Sequence, residues 1–66
     1  MIEKGNTKQL ILEAALELFA VQGYEATSIS QIADRVGIRK ASMYSHFMGK
    51  QDILDALLEE GLKQYE

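Results

Sequence analysis

Apolar residues recur at intervals of three and four along most of the chain, and isolated glycines interrupt the recurrence. Leu10, Ile11, Ala14, Ala15, Leu18 and Phe19 mark one buried face and predict a helix from about Thr7 to Gln22. Asn6 can cap its start, Gln9 stands three residues on to reach back, and Gly23 stops it. Leu12 and Leu16 fall outside that stripe, which leaves an apolar surface wider than one neighbour needs. A second helix runs from Ser28 to Val36, with Ile29, Ile32, Ala33 and Val36 on one side and capping-box spacing between Ser28 and Gln31. A third, short and basic, follows Gly37 and runs from about Lys40 to Phe47; Met43 and Phe47 face inward and Ile38 anchors the turn. A fourth begins near Lys50 and carries Ile53, Leu54, Leu57, Leu58, Leu62 and Tyr65 on a continuous stripe, with Asp52 in its first turn. No segment alternates as a strand would, and none repeats.

Composition narrows what such a bundle can do. Sixty-six residues suffice for one small domain, which buries only about 60% of its unfolded surface and leaves little room for an enclosed active site. There is no cysteine, so disulfides and thiolate metal clusters are excluded, and the single histidine, His46, lacks the partners that a metal site needs. No Gly-rich phosphate loop and no nucleophile-base pair occurs, so neither an enzyme nor a cofactor is expected. Glu13 and Glu17 share a helix face, but without a cleft they are a solvated stripe. The longest apolar run, Leu18 to Val21, is far too short to span a bilayer, which makes the cytoplasm the expected compartment.

The net charge of −3 argues against a nucleic-acid partner until its distribution is considered. Residues 35–50 hold four of the seven bases, Arg35, Arg39, Lys40 and Lys50, and none of the ten acids. Two short helices joined by the turn Gly37-Ile38-Arg39 match a helix-turn-helix, in which the second helix enters the major groove of DNA. The side chains it would present are Arg39, Lys40, Ala41, Ser42 and Ser45. Arg and Lys can bond guanine, Ser serves several bases, and the methyl of Ala41 can touch thymine. Near the start of the second helix, Thr27 and Ser28 can cap or donate to a phosphate. Lys50 stands at a helix N-terminus, where the dipole disfavours a cation and a bound anion would account for it.

The stretch TSISQIADRVGIRKASMYSHFMGKQDIL (residues 27–54), preceded by ILEAALELFAVQGYEA, resembles the N-terminal DNA-binding domain of TetR-family transcriptional regulators. The likeness runs from about Lys8 to Leu62. It rests on ordered features: Phe-x-x-x-Gly-Tyr, the Thr-Ser cap, Ile-Ala, the Val-Gly-Ile turn, Tyr-x-His-Phe and Lys50. It implies an all-α, homeodomain-like fold: a three-helix bundle containing the helix-turn-helix (about residues 28–47), plus the start of a fourth, linking helix. Residues 1–66 would form the DNA-binding domain, with a ligand-binding and dimerising domain absent from this chain. The partners implied are a palindromic double-stranded operator and, in the full-length protein, a second copy. The implied role is repression relieved by a small molecule, in a cytoplasmic, nucleoid-associated protein.

By the same resemblance, Thr27 and Ser28 would meet phosphate, and Lys40, Ser42, Ser45 and His46 would lie on the recognition helix. Tyr44 would reach the backbone through its hydroxyl, and Lys50 would clamp a flanking phosphate. Two positions depart from the pattern. Arg39 stands where a small hydroxyl cap is usual, and Ser45 where the residue is often larger. About four neutralised phosphates per half-site would give a salt slope of roughly −3.6 in log K. The competing reading is a helical protein-interaction module docking through Leu54, Leu58 and Leu62, for which salt would matter little.

Overall fold

The computed structural model describes residues 6–64, and the side chains of residues 6–59. Four helices follow in order: α1 (Thr7–Gln22), α2 (Ile29–Val36), α3 (Lys40–Tyr44) and α4 (Lys50–Gln64). No strand occurs among the described residues. The architecture is the all-α bundle with a helix-turn-helix that the periodicity predicts.

Local chemistry sets most of the boundaries. Asn6 Oδ1 accepts from the Gln9 backbone N–H at 3.4 Å, while the Gln9 side chain donates to Glu13 instead of returning to the cap. Gly23 ends α1 at φ 91°, donating its N–H to the Phe19 carbonyl. At α2 the capping box is complete: Ser28 Oγ accepts from Gln31 N at 3.1 Å, and Gln31 Oε1 accepts from Ser28 N at 3.0 Å. Gly37 closes α2 in the left-handed region, φ 89° and ψ 29°, with its N–H and that of Ile38 both donating to the Ala33 carbonyl. Open space surrounds Gly37, so backbone conformation, not crowding, selects glycine there.

The third helix is shorter than its pattern suggests, ending at Tyr44 instead of Phe47. Ser45 N and Ser45 Oγ both donate to the Ser42 carbonyl, and His46 N donates to that of Met43, so the chain tightens into three-residue turns. Phe47 still turns inward, with its N–H on the Met43 carbonyl.

The core joins Ile11, Leu12, Ala14 and Ala15 of α1 to Ile32 and Ala33 of α2, Met43 and Phe47 of the third segment, and Ile53 of α4. Helix α1 packs on both α2 and α4, and α2 packs on α3. That double cover corrects the expected stripe: Leu12 is buried, whereas Leu10 is 53% exposed. The buried arc of α1 is centred on Ile11 and Ala15 and widens toward Leu12, because neighbours sit on two sides. Leu16 stays exposed. On α4, Ile53 is buried and Leu57 packs against the core, while Leu58 is exposed; the expected positions of Leu62 and Tyr65 lie outside the described side chains.

Candidate nucleic-acid interface

Buried Met43 and Phe47 fix which way α3 faces. With both side chains in the core, Arg39, Lys40, Ala41, Ser42, Tyr44, Ser45 and His46 are all exposed. The Gly37 turn sets the angle between α2 and α3, and Ile38 packs beneath it on the core. Arg39 is extended at φ −80° and ψ 153° and makes no side-chain cap, while its carbonyl accepts from Ser42 N and Met43 N. Its guanidinium is therefore not spent on starting the helix. Tyr44 is half exposed, which suits a hydroxyl reaching toward a partner. Ser45 is constrained, since its hydroxyl proton goes to the Ser42 carbonyl at 2.7 Å and only its lone pairs face outward.

Other candidates have internal duties. Thr27 is 2% exposed; its hydroxyl donates to the Gly23 carbonyl at 2.8 Å and accepts from Gln22 Nε2. It closes the α1–α2 loop, and a phosphate would have to break that bond to use it. Ser28 remains exposed, with its oxygen capping α2 and its proton uncommitted among the described residues.

Lys50 has internal partners that the dipole reasoning did not foresee. Its ammonium donates to the Tyr24 carbonyl at 2.7 Å and lies 4.2 Å from the Tyr24 ring centroid. A cation at the start of α4 thus needs no bound anion: a carbonyl and an aromatic face already compensate it. Arg35, counted in the basic window, pairs with Glu17 of α1, so Glu17 is not merely a solvated carboxylate. Of the four cations in residues 35–50, two are engaged within the fold, and Arg39 and Lys40 remain on the α3 face.

Two residues of this framework lie outside the candidates that the sequence offered. Gln22 Nε2 lies 3.1 Å from the Ala26 carbonyl, 3.3 Å from Thr27 Oγ1 and 2.9 Å from Gln31 Oε1, so it ties the end of α1 to the capping box of α2. Tyr24 stacks at a tilt on Phe19, supports Lys50 and donates its hydroxyl to Gln51. Only the aromatic-glycine spacing hints at the second. No group of three or more His, Cys, Asp or Glu able to hold a metal exists among the described residues, and none of the described helices is long and apolar enough to cross a membrane.

The family model described as bacterial regulatory proteins, tetR family, matches residues 11–57, a span that runs from within α1 to the middle of α4. The chain belongs to the TetR family. It carries that family's N-terminal DNA-binding domain, a unit of transcription regulation. The transcriptional regulator SrpR of Pseudomonas putida is 41% identical over 56 residues, 85% of this chain and 26% of SrpR. The fatty acid metabolism regulator of Bacillus subtilis is 36% identical over 65 residues, 98% of this chain and 34% of that protein. Among solved structures, the fatty acid degradation regulator FadR of Bacillus halodurans superposes with a TM-score of 0.85 at 30% identity, covering 97% of this chain and 33% of its own. The match therefore spans about a quarter to two fifths of the length of the curated relatives. Those relatives are regulators, a non-enzymatic role.

Proposed function

We propose that this TetR-family domain reads a double-stranded operator by laying α3 in the major groove. Ala41 and Ser42 would approach the bases, Arg39 and Lys40 the bases and the phosphates that border them, and Ser28, Tyr44 and His46 further phosphates. The observation that carries this reading is the pairing of a buried Met43–Phe47 side with an outward side on which every residue from Arg39 to Ser42 is exposed. Residues 1–66 then act as the DNA-reading domain of a longer repressor, whose remaining part binds a small molecule and pairs two copies on a palindromic site. The roughly threefold greater length of these two relatives supports this. Such a protein works in the cytoplasm beside the nucleoid, holds no metal or cofactor, and catalyses nothing.

Internal engagement of Arg35 and Lys50 lowers the expected charge on the groove face. Arg39 and Lys40 alone give a slope of log K against log salt of about −1.8, against roughly −3.6 for four phosphates. Fluorescence anisotropy with a labelled duplex across a salt series tests the proposal. Binding that weakens with salt, and that Lys40→Ala reduces, supports it; no binding in dilute salt sinks it. Docking through α4 as a protein-interaction module is the other outcome, in which Leu58→Asp abolishes partner capture and DNA is ignored.

A further inference from the structure

The sequence places Lys8 in the first helix, far from the basic window, and nothing in its spacing links it to α3. In the folded chain its ammonium sits 5.8 Å from the centroid of the Phe47 ring. Phe47 is buried at 4% exposure and directly follows exposed His46, so Lys8 emerges where α3 ends. The side chain is solvent-exposed, and its weak contact with an aromatic face is readily given up for an anion.

The opposite end of α3 carries Arg39 and Lys40. Helix α3 (Lys40–Tyr44) and the tightened turns after it carry the chain on the order of 10 Å from Lys40 to Phe47. The major groove is about 12 Å wide between its bordering backbones. Cations at both ends of a helix seated in that groove therefore face phosphates on both sides of it, whereas cations at one end alone would hold only one strand. We infer that Lys8 is a phosphate-binding residue of the DNA interface, contacting the strand opposite the one held by Arg39 and Lys40. This rests on the proposed seating of α3 in the groove. Lys8 specifies no base; it adds affinity and fixes the tilt of the helix.

Lys8→Met provides the test, because methionine keeps apolar cover over Phe47 while removing the charge. The probe is a fluorescein-labelled duplex of about 20 base pairs of mixed sequence, titrated at several salt concentrations. One phosphate contact fewer makes the slope shallower by about 0.9 and weakens binding roughly tenfold near 50 mM salt, alike for all sequences. Lys8→Arg retains both, and the melting temperature of Lys8→Met without DNA stays at the parent value. Unchanged affinity and slope in Lys8→Met would overturn the inference. So would weaker binding at an unchanged slope, the mark of a packing role. If Lys40→Ala also binds like the parent, the seating of α3 itself fails, and that is separable from a failure at Lys8 alone.

Discussion

Replacing Lys50 by methionine discriminates between two roles for one residue. A phosphate clamp contributes nothing to the free protein, so its loss would spare stability and weaken DNA binding. The structure instead gives Lys50 a charge-assisted bond of 2.7 Å to the Tyr24 carbonyl and a cation–π contact at 4.2 Å. Hydrogen bonds to charged groups contribute about 1.5–3 kcal/mol, and partial exposure places this one near the lower end. The ring contact adds about 0.5 kcal/mol at a partly solvated site. Lys50→Met should therefore destabilise the domain by about 2 kcal/mol, or roughly 8–16 °C in melting temperature for a domain this small. Methionine preserves most of the stem, so lost packing contributes little. Thermal unfolding followed by circular dichroism, without DNA, is the assay. Tyr24→Phe is the control: it keeps the carbonyl and the ring and forfeits only the 3.3 Å bond to Gln51, so it should cost under about 0.5 kcal/mol. An unchanged melting temperature in Lys50→Met would refute the latch and return Lys50 to the phosphate.

Three further outcomes follow from the same geometry. Ser28→Ala removes half of the capping box and should cost about 1 kcal/mol in urea unfolding; if Ser28 also donates to phosphate, DNA affinity falls while the salt slope holds, since no charge is lost. Gly37→Ala meets no atom but forces a Cβ into left-handed backbone, so about 1–2 kcal/mol should be lost, whereas a neutral result would mean that the turn relaxes freely. Ile32→Ala hollows a fully buried site between the helices and should cost about 2–5 kcal/mol, a large share of a small domain's total, read as a lowered denaturation midpoint at constant m-value.

The elements legible from the residues alone are those whose causes lie within a few positions. Ser28 and Gln31 are three apart, and their reciprocal bonds form wherever that segment is helical. Gly23 and Gly37 end helices because only glycine takes their backbone angles cheaply. Met43 and Phe47 read as inward residues, and are, although the helix between them stops at Tyr44 once Ser45 bonds back to the Ser42 carbonyl. The fold class, the turn and the outward run from Arg39 to Ser42 all follow from such short-range rules.

Tertiary structure decided which charges remain for a partner. Arg35 meets a carboxylate 18 positions earlier, and Lys50 meets a carbonyl 26 positions earlier. Lys8 reaches Phe47 across most of the chain, and Thr27 loses its hydroxyl to a loop carbonyl. Periodicity reports which side of a helix is apolar, but it carries no distance between groups on different helices. Electrostatic pairing depends on that distance and on the solvation around it, so the count of basic residues was set by the sequence, and their availability by the way α1, α2 and α4 pack.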